Sequence, residues 1–149
     1  MKLGLMLKDP EEEHDCFSDN THNAHYYGAL GLRNIWFGRY TRLDGEVMTG
    51  ASLAALLTES DPDLARDIAE DFDAMIAAMT ALKNRGDTIE HYDHMISGQS
   101  PKGEAAIEAA IDALIRLANG FERGSRAIGL SSSAFEGSDS LDSPQAVFE

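Results

Sequence analysis

Twice in this sequence a residue suited to cap a helix stands directly before a proline, and a long run of apolar residues spaced three and four apart follows. Asp61-Pro62 opens the first run. The carboxylate can accept from the free amides of the first turn, and proline at the first helical position loses nothing, because its missing N–H would have had no partner there. Leu64, Ile68, Phe72, Met75, Ile76, Met79 and Leu82 then keep one face apolar. Ser100-Pro101 opens the second run, with Glu104 in its first turn and a stripe of Ile107, Ala110, Ile111, Leu114, Ala118, Phe121 and Ile128. Two long amphipathic helices must bury their stripes against each other or against further helices, which restricts the chain to a helical bundle.

The remaining segments fit around that pair. Ser18, Asp19, Asn20 and Thr21 are four consecutive residues able to cap a helix, and Tyr26 or Tyr27, Leu30, Asn34 and Phe37 continue at helical spacing, so a helix is predicted over about 20–37. Gly28, Gly31 and Gly38 lower its propensity by up to about 1 kcal/mol each, so packing must hold it, and close approach of a neighbouring helix is the expected use of the glycines. Asp44-Gly45, between Arg39 to Leu43 and Glu46 to Met48, predicts a small β-hairpin with a type I′ turn. A short helix is expected at 52–58. Asn84-Arg85-Gly86-Asp87 reads as the end of the first long helix, and 88–96 as a weaker helical stretch before the loop 97–100. Residues 1–17 read as an apolar strap, Leu3 to Leu7, followed by an acidic loop around Pro10. From Leu130 the chain is rich in Ser, Asp and Gly, and an extended tail over 130–149 is expected, anchored by Phe135, Leu141 and Phe148. No βα alternation occurs, so the fold class is all-α: an up-and-down helical bundle with a small β-hairpin insertion, forming one domain over 1–149.

Composition excludes several functions. The chain has 149 residues, 43% apolar and 26% charged, enough for one core. Its formal charge of -14 would repel a phosphate backbone, so no nucleic acid partner is expected. No apolar run approaches the roughly 18 residues of a membrane span. The amino terminus MKLGLMLKDPEEE turns acidic before a signal-peptide apolar stretch can form, so the expectation is that the chain as written carries no signal peptide. Cys16 is the only cysteine, and an intrachain disulfide is impossible.

The segment EEEHDCFSDNTHNAH concentrates His14, His22 and His25, one thiol and several carboxylates. His22 and His25 lie three apart and would share a helix face, while His14, Cys16 and Asp19 could fold back from the preceding loop, a set able to ligate one metal ion. The alternative is structural: Ser18 to Thr21 cap the helix and the histidines hydrogen-bond around it. His91 and His94, three apart beside Glu90 and Asp93, read as a solvated acidic face. No H-E-x-x-H zinc motif occurs.

The segment HDCFSDNTH, followed by YYGALGLRNIWFGRYTRLDG and later by FEGSDSLDSP, resembles the carboxy-terminal half of the imelysin family, bacterial imelysin-like and iron-regulated cell-envelope proteins of which some are classed as metallopeptidases. The resemblance implies one half of a two-bundle fold with a functional site between the halves. The family's G-x-H-x-x-E motif, expected in the amino-terminal half, is absent here. What carries over is the other side of the cleft, namely His14, Cys16, Phe17, Ser18, Asp19, Asn20, Thr21 and His22, with His25 beside them. His14, Asp19 and His22 are the metal ligands this reading selects, for iron or zinc, with haem as an alternative cofactor. It implies a location in the periplasm or cell envelope, Met1 to Leu7 as the end of a longer helix in a fragment or shortened paralogue, and as partner either the missing amino-terminal half or a second copy of the chain. Three functions follow as expectations: an iron- or haem-associated metal-binding module, a metallopeptidase-like half-domain, or an inert dimerising bundle.

Overall fold

A computed structural model describes residues 1–130. The expected tail anchors Phe135, Leu141 and Phe148 lie outside the described residues. Within them the chain forms α1 (Lys2–Leu7), a 3-10 turn (Pro10–Glu12), α2 (Thr21–Phe37), β1 (Arg39–Thr41), β2 (Val47–Thr49), α3 (Leu53–Ser60), α4 (Pro62–Thr88), α5 (Tyr92–Ile96) and α6 (Pro101–Ala127).

Both proline-led helices start where the sequence places them. Asp61 Oδ1 accepts from the Leu64 amide at 3.0 Å, and Ser100 Oγ accepts from the Gly103 amide at 3.0 Å. The two helices run antiparallel as the centre of the bundle, since Ile68 near the start of α4 meets Gly120 and Gly124 near the end of α6. Helix α2 lies antiparallel to α4, with His22 against Gly86 at one end and Trp36 against Phe72 at the other. Helix α3 closes that second end through Leu57, while α1 and α5 close the first, where Gly4 meets Ile96 and Met95 meets Gly103. Trp36, Phe72 and Phe121 pack with ring centroids 4.9 to 5.9 Å apart and join the three main helices. The fold is thus an up-and-down helical bundle with a small hairpin, as expected from the sequence. No helix of the described residues is long and apolar enough to cross a membrane.

Five details differ from the sequence expectations. The centre of the buried α6 face is Gly103, Ile107, Ala110, Ala113, Leu117, Gly120 and Gly124, while Ala118 is exposed and Ile111, Leu114, Phe121 and Ile128 flank the face. Small residues carry this interface because α4 approaches closely: a Cβ at Gly120 would stand 3.0 Å from Ile68 Cγ1. The glycines of α2 do no such work, for Gly28 and Gly31 have open space around them and Gly38 ends the helix with φ +57°.

Helix α4 also runs through Asn84 to Asp87 and ends at Thr88. Gly86 is there for packing, not termination, because a Cβ on it would stand 2.3 Å from His22 Cγ. Beyond it only Tyr92–Ile96 is helical, and the expected stretch from 88 is broken at Ile89 to His91. Glu90 in this break accepts from Ser100 Oγ at 2.7 Å, pairs with Arg85, and faces His94 Nδ1 at 2.7 Å. Burial alone would raise its carboxyl pKa, but hydrogen bonds from Ser100, His94 and Arg85 outweigh that and hold it below the usual range.

The hairpin pairs Arg39 with Thr49, Tyr40 with Met48 and Thr41 with Val47. The Gly45 amide donates to Arg42 O at 3.0 Å, Gly45 has φ +88°, and Asp44 is not left-handed. Leu43-Asp44-Gly45 is therefore a three-residue loop, a type I turn closed by a left-handed glycine, and not the two-residue type I′ turn.

Two glycine substitutions separate packing from propensity. Gly86→Ala is expected to lower unfolding stability by about 1–3 kcal/mol because the new methyl must displace the base of the His22 side chain. Gly28→Ala, in open space on a helix, is expected to raise it by up to about 1 kcal/mol. Urea unfolding followed by circular dichroism measures both, and equal effects at the two sites would refute the assignment of Gly86 to a close contact.

Candidate functional site

The polar end of the bundle is built by the loop between α1 and α2. Lys8 ends α1 in the left-handed region, at φ 54°, and Asp9 Oδ1 accepts from the Glu11 amide at 3.0 Å to start the 3-10 turn. That turn delivers Glu13 into the interior. The chain re-enters helix α2 at Thr21, which is fully buried and accepts from the Asp15 amide through Oγ1 at 3.2 Å. Between them Asp19 takes φ 51°, a left-handed conformation that Asp tolerates better than most residues.

The expected side-chain cap of α2 does not form. Asn20 is the capping residue, yet only its backbone carbonyl serves the helix, accepting from the Ala24 amide at 3.1 Å, while its side chain accepts from Asn23 Nδ2 at 2.9 Å. Ser18 Oγ donates to Asp15 O at 3.1 Å. Asp19 is instead free to point toward α5.

There it meets two other carboxylates. Glu13, Asp19 and Asp93 each place an oxygen within 4.8 Å of the others, and this is the group of three potential metal-ligating side chains found among the described residues. Glu13 is only 5% exposed. Glu13 Oε1 and Asp19 Oδ1 are buried and have no hydrogen-bond partner among the described residues. Asp93 Oδ1 accepts from the His94 amide at 2.5 Å, and His91 Nδ1 stands 2.5 Å from Asp19 Oδ2. Beside the carboxylates, the His25 ring lies between His14 and Tyr92, with centroids 4.8 and 5.5 Å away. The Tyr92 hydroxyl and His25 Nε2 are also buried without a partner. Burial raises the Tyr92 pKa, and the nearby Glu13 charge adds to the shift.

The residues read from the sequence are distributed unevenly around this centre. Asp19 belongs to it. His14 is half exposed and stands 3.4 Å from the Asp15 carboxylate. His22 is buried against Gly86, with Nε2 at 3.0 Å from both Asp87 Oδ1 and Asn23 Nδ2 and with Nδ1 without a partner among the described residues. Thus His14, Asp19 and His22 do not bring their ligand atoms together within the same span. Cys16, Phe17 and Ser18 are exposed on the outer turn of the loop, Thr21 is a buried anchor, and Asn20 is part of the Asn23 network. His91 and His94 diverge, one to Asp19 and the other to Glu90. Glu13 and Asp93 were legible only as members of acidic runs. Nothing in their spacing, eighty residues apart, pairs them.

A separate apolar cavity of about 200 Å³ lies at the other end, between α2, α3 and α6, lined by Trp36, Leu57 and Phe121 among others.

Burial, together with the positive charges of the Met1 amino group and His14, pushes the His25 pKa down to about 4. The unfolded chain therefore binds this proton first as pH falls, so folding stability is expected to drop between the ordinary value of 6.5 and about 4. NMR titration of the ring protons checks the midpoint, and a His25 midpoint at 6 or above would contradict the buried neutral ring.

The geometry and the sequence can now be set against known proteins. The sequence model of the imelysin family matches residues 1–120 of this chain, which takes in the acidic loop, α2, the hairpin, α4, α5 and most of α6. A comparison with curated proteins finds no match. On the strength of a match that covers most of its length, the chain belongs to the imelysin family.

Proposed function

We propose that this imelysin-family chain is a metal-binding module, associated with iron handling at the bacterial cell envelope, and that the ion sits at the polar end of the bundle. The observation that carries the reading is the pair of buried carboxylate oxygens on Glu13 and Asp19 that have no partner among the described residues. A buried carboxylate oxygen left without a partner is costly, and a coordinated cation is one of the few groups that would satisfy several such oxygens at once. Oxygen and imidazole donors fit iron or zinc in kind. The envelope location and the link to iron rest on the resemblance of HDCFSDNTH and its companion segments.

A bare ion is favoured over haem. The buried oxygens of Glu13 and Asp19 that have no partner among the described residues suit a small, hard cation, whereas haem is held by an axial imidazole, thiolate, thioether or phenolate. A partner, whether an amino-terminal imelysin half or a second copy of the chain, belongs to the same proposal. The exposed Tyr27 and Ile35 on α2 support it.

The test is titration of Fe(II), Fe(III), Zn(II) and haem into purified chain after chelator treatment. The expected result is saturable binding of roughly one metal ion per chain, with a rise in melting temperature on loading that chelator reverses. Absence of saturable binding for every metal ion would refute the reading.

A further inference from the structure

We infer that the ligands are Glu13, Asp19 and Asp93, an all-carboxylate site for a hard, oxygen-preferring cation such as Mn(II) or Fe(III). The inference rests on the metal-binding reading and deepens it by naming the donor set and the class of ion. Its geometry is favourable. Oxygens bound to one ion at about 2.0–2.6 Å lie no further apart than about twice that distance, so donors within 4.8 Å of one another are within the reach of a single cation. The cluster does not stand on acidity alone. Glu13 is 95% buried by its 5% exposure, one of its oxygens has no partner, and its carboxylate reaches the other two. No Lys or Arg among the described residues pairs with Glu13, Asp19 or Asp93 within 4.0 Å. Three carboxylates held so close repel each other strongly in a partly desolvated setting, and a multivalent cation converts that repulsion into attraction.

The donor type sets the ion class. Structural zinc sites draw on thiolate and imidazole, but the single thiol, Cys16, is exposed on the outer turn and is not in the group. His91 is the nearest imidazole, and its Nδ1 is engaged with Asp19 Oδ2 at 2.5 Å. In that position it orients a ligating carboxylate without itself being a ligand. The Asp19 oxygen left over, Oδ1, is the buried and unpartnered one.

Mn(II) titration of the chelator-treated chain, read by electron paramagnetic resonance, tests the assignment directly. Glu13→Gln and Asp93→Asn are each expected to weaken binding by at least roughly tenfold, while His14→Ala leaves it unchanged. The same charge removals are expected to raise the melting temperature of the metal-free protein, a readout showing that each variant is folded. Electron spin echo modulation of the loaded wild type should show no directly coordinated nitrogen. Metal binding that survives in Glu13→Gln and Asp93→Asn, or that shows imidazole nitrogen coordination and is lost in His14→Ala, would overturn the carboxylate assignment while leaving the module reading intact. Failure of wild type to bind Mn(II), Fe(III) or Zn(II) would overturn both.

Discussion

Ile68 seated against Gly120 and Gly124 is the contact on which the rest of the molecule depends. It draws α4 and α6 together where α6 presents glycines, and the space left beside Gly124 is filled from α2 and α3 by Trp36 and Leu57. The aromatic cluster of Trp36, Phe72 and Phe121 follows from that approach, since rings from three helices meet only if the central pair is close. Dispersion and burial act together here: each added methylene at Gly120 would push the axes apart and loosen every ring contact beyond it.

The other end of the bundle repeats the device with a polar side chain. Gly86 leaves the space of a side chain to the base of the His22 ring, and Asp87, Asn23 and Lys83 then fix the ring and one another. This seating determines where α2 begins. Thr21 is pulled into the interior beside it, so the loop from Glu13 to Asn20 has to turn back over α5, and that turn brings Glu13 and Asp19 to Asp93. His22 thus acts on the candidate site through the course of the chain, although it contributes no ligand atom to the carboxylate group.

Much of the architecture was legible in the sequence because it rests on local rules. Asp61-Pro62 and Ser100-Pro101 specify helix starts through amides within one turn, and the α4 stripe from Leu64 to Leu82 records burial at a fixed period. The errors in α4 and α6 share one cause. Gly86, Gly103, Gly120 and Gly124 read as neutral or breaking residues in isolation, and their value appears only when the partner that occupies the missing side chain is known. The carboxylate group was illegible for the same reason. Asp19 stood out within HDCFSDNTH, but Glu13 and Asp93 come from segments that read as solvated acid, and only the packing of α5 against the acidic loop joins them.

A site assembled in this way sets function against stability. Glu13 could be replaced by an apolar residue with less electrostatic cost to the folded chain, and the Tyr92 hydroxyl beside it, buried and unpartnered, adds a second unmet demand at the same place. Natural folds carry few such groups, and those they carry concentrate where something else completes them. Glu90, between α4 and α5, shows the contrast: it too is a partly buried carboxylate, but Ser100, Arg85 and His94 satisfy it, and its role ends with fixing the start of α6. Glu90 and Glu13 therefore have opposite standing. The satisfied one holds the fold, and the unsatisfied one, with Asp19 and Asp93, is poised to hold a cation.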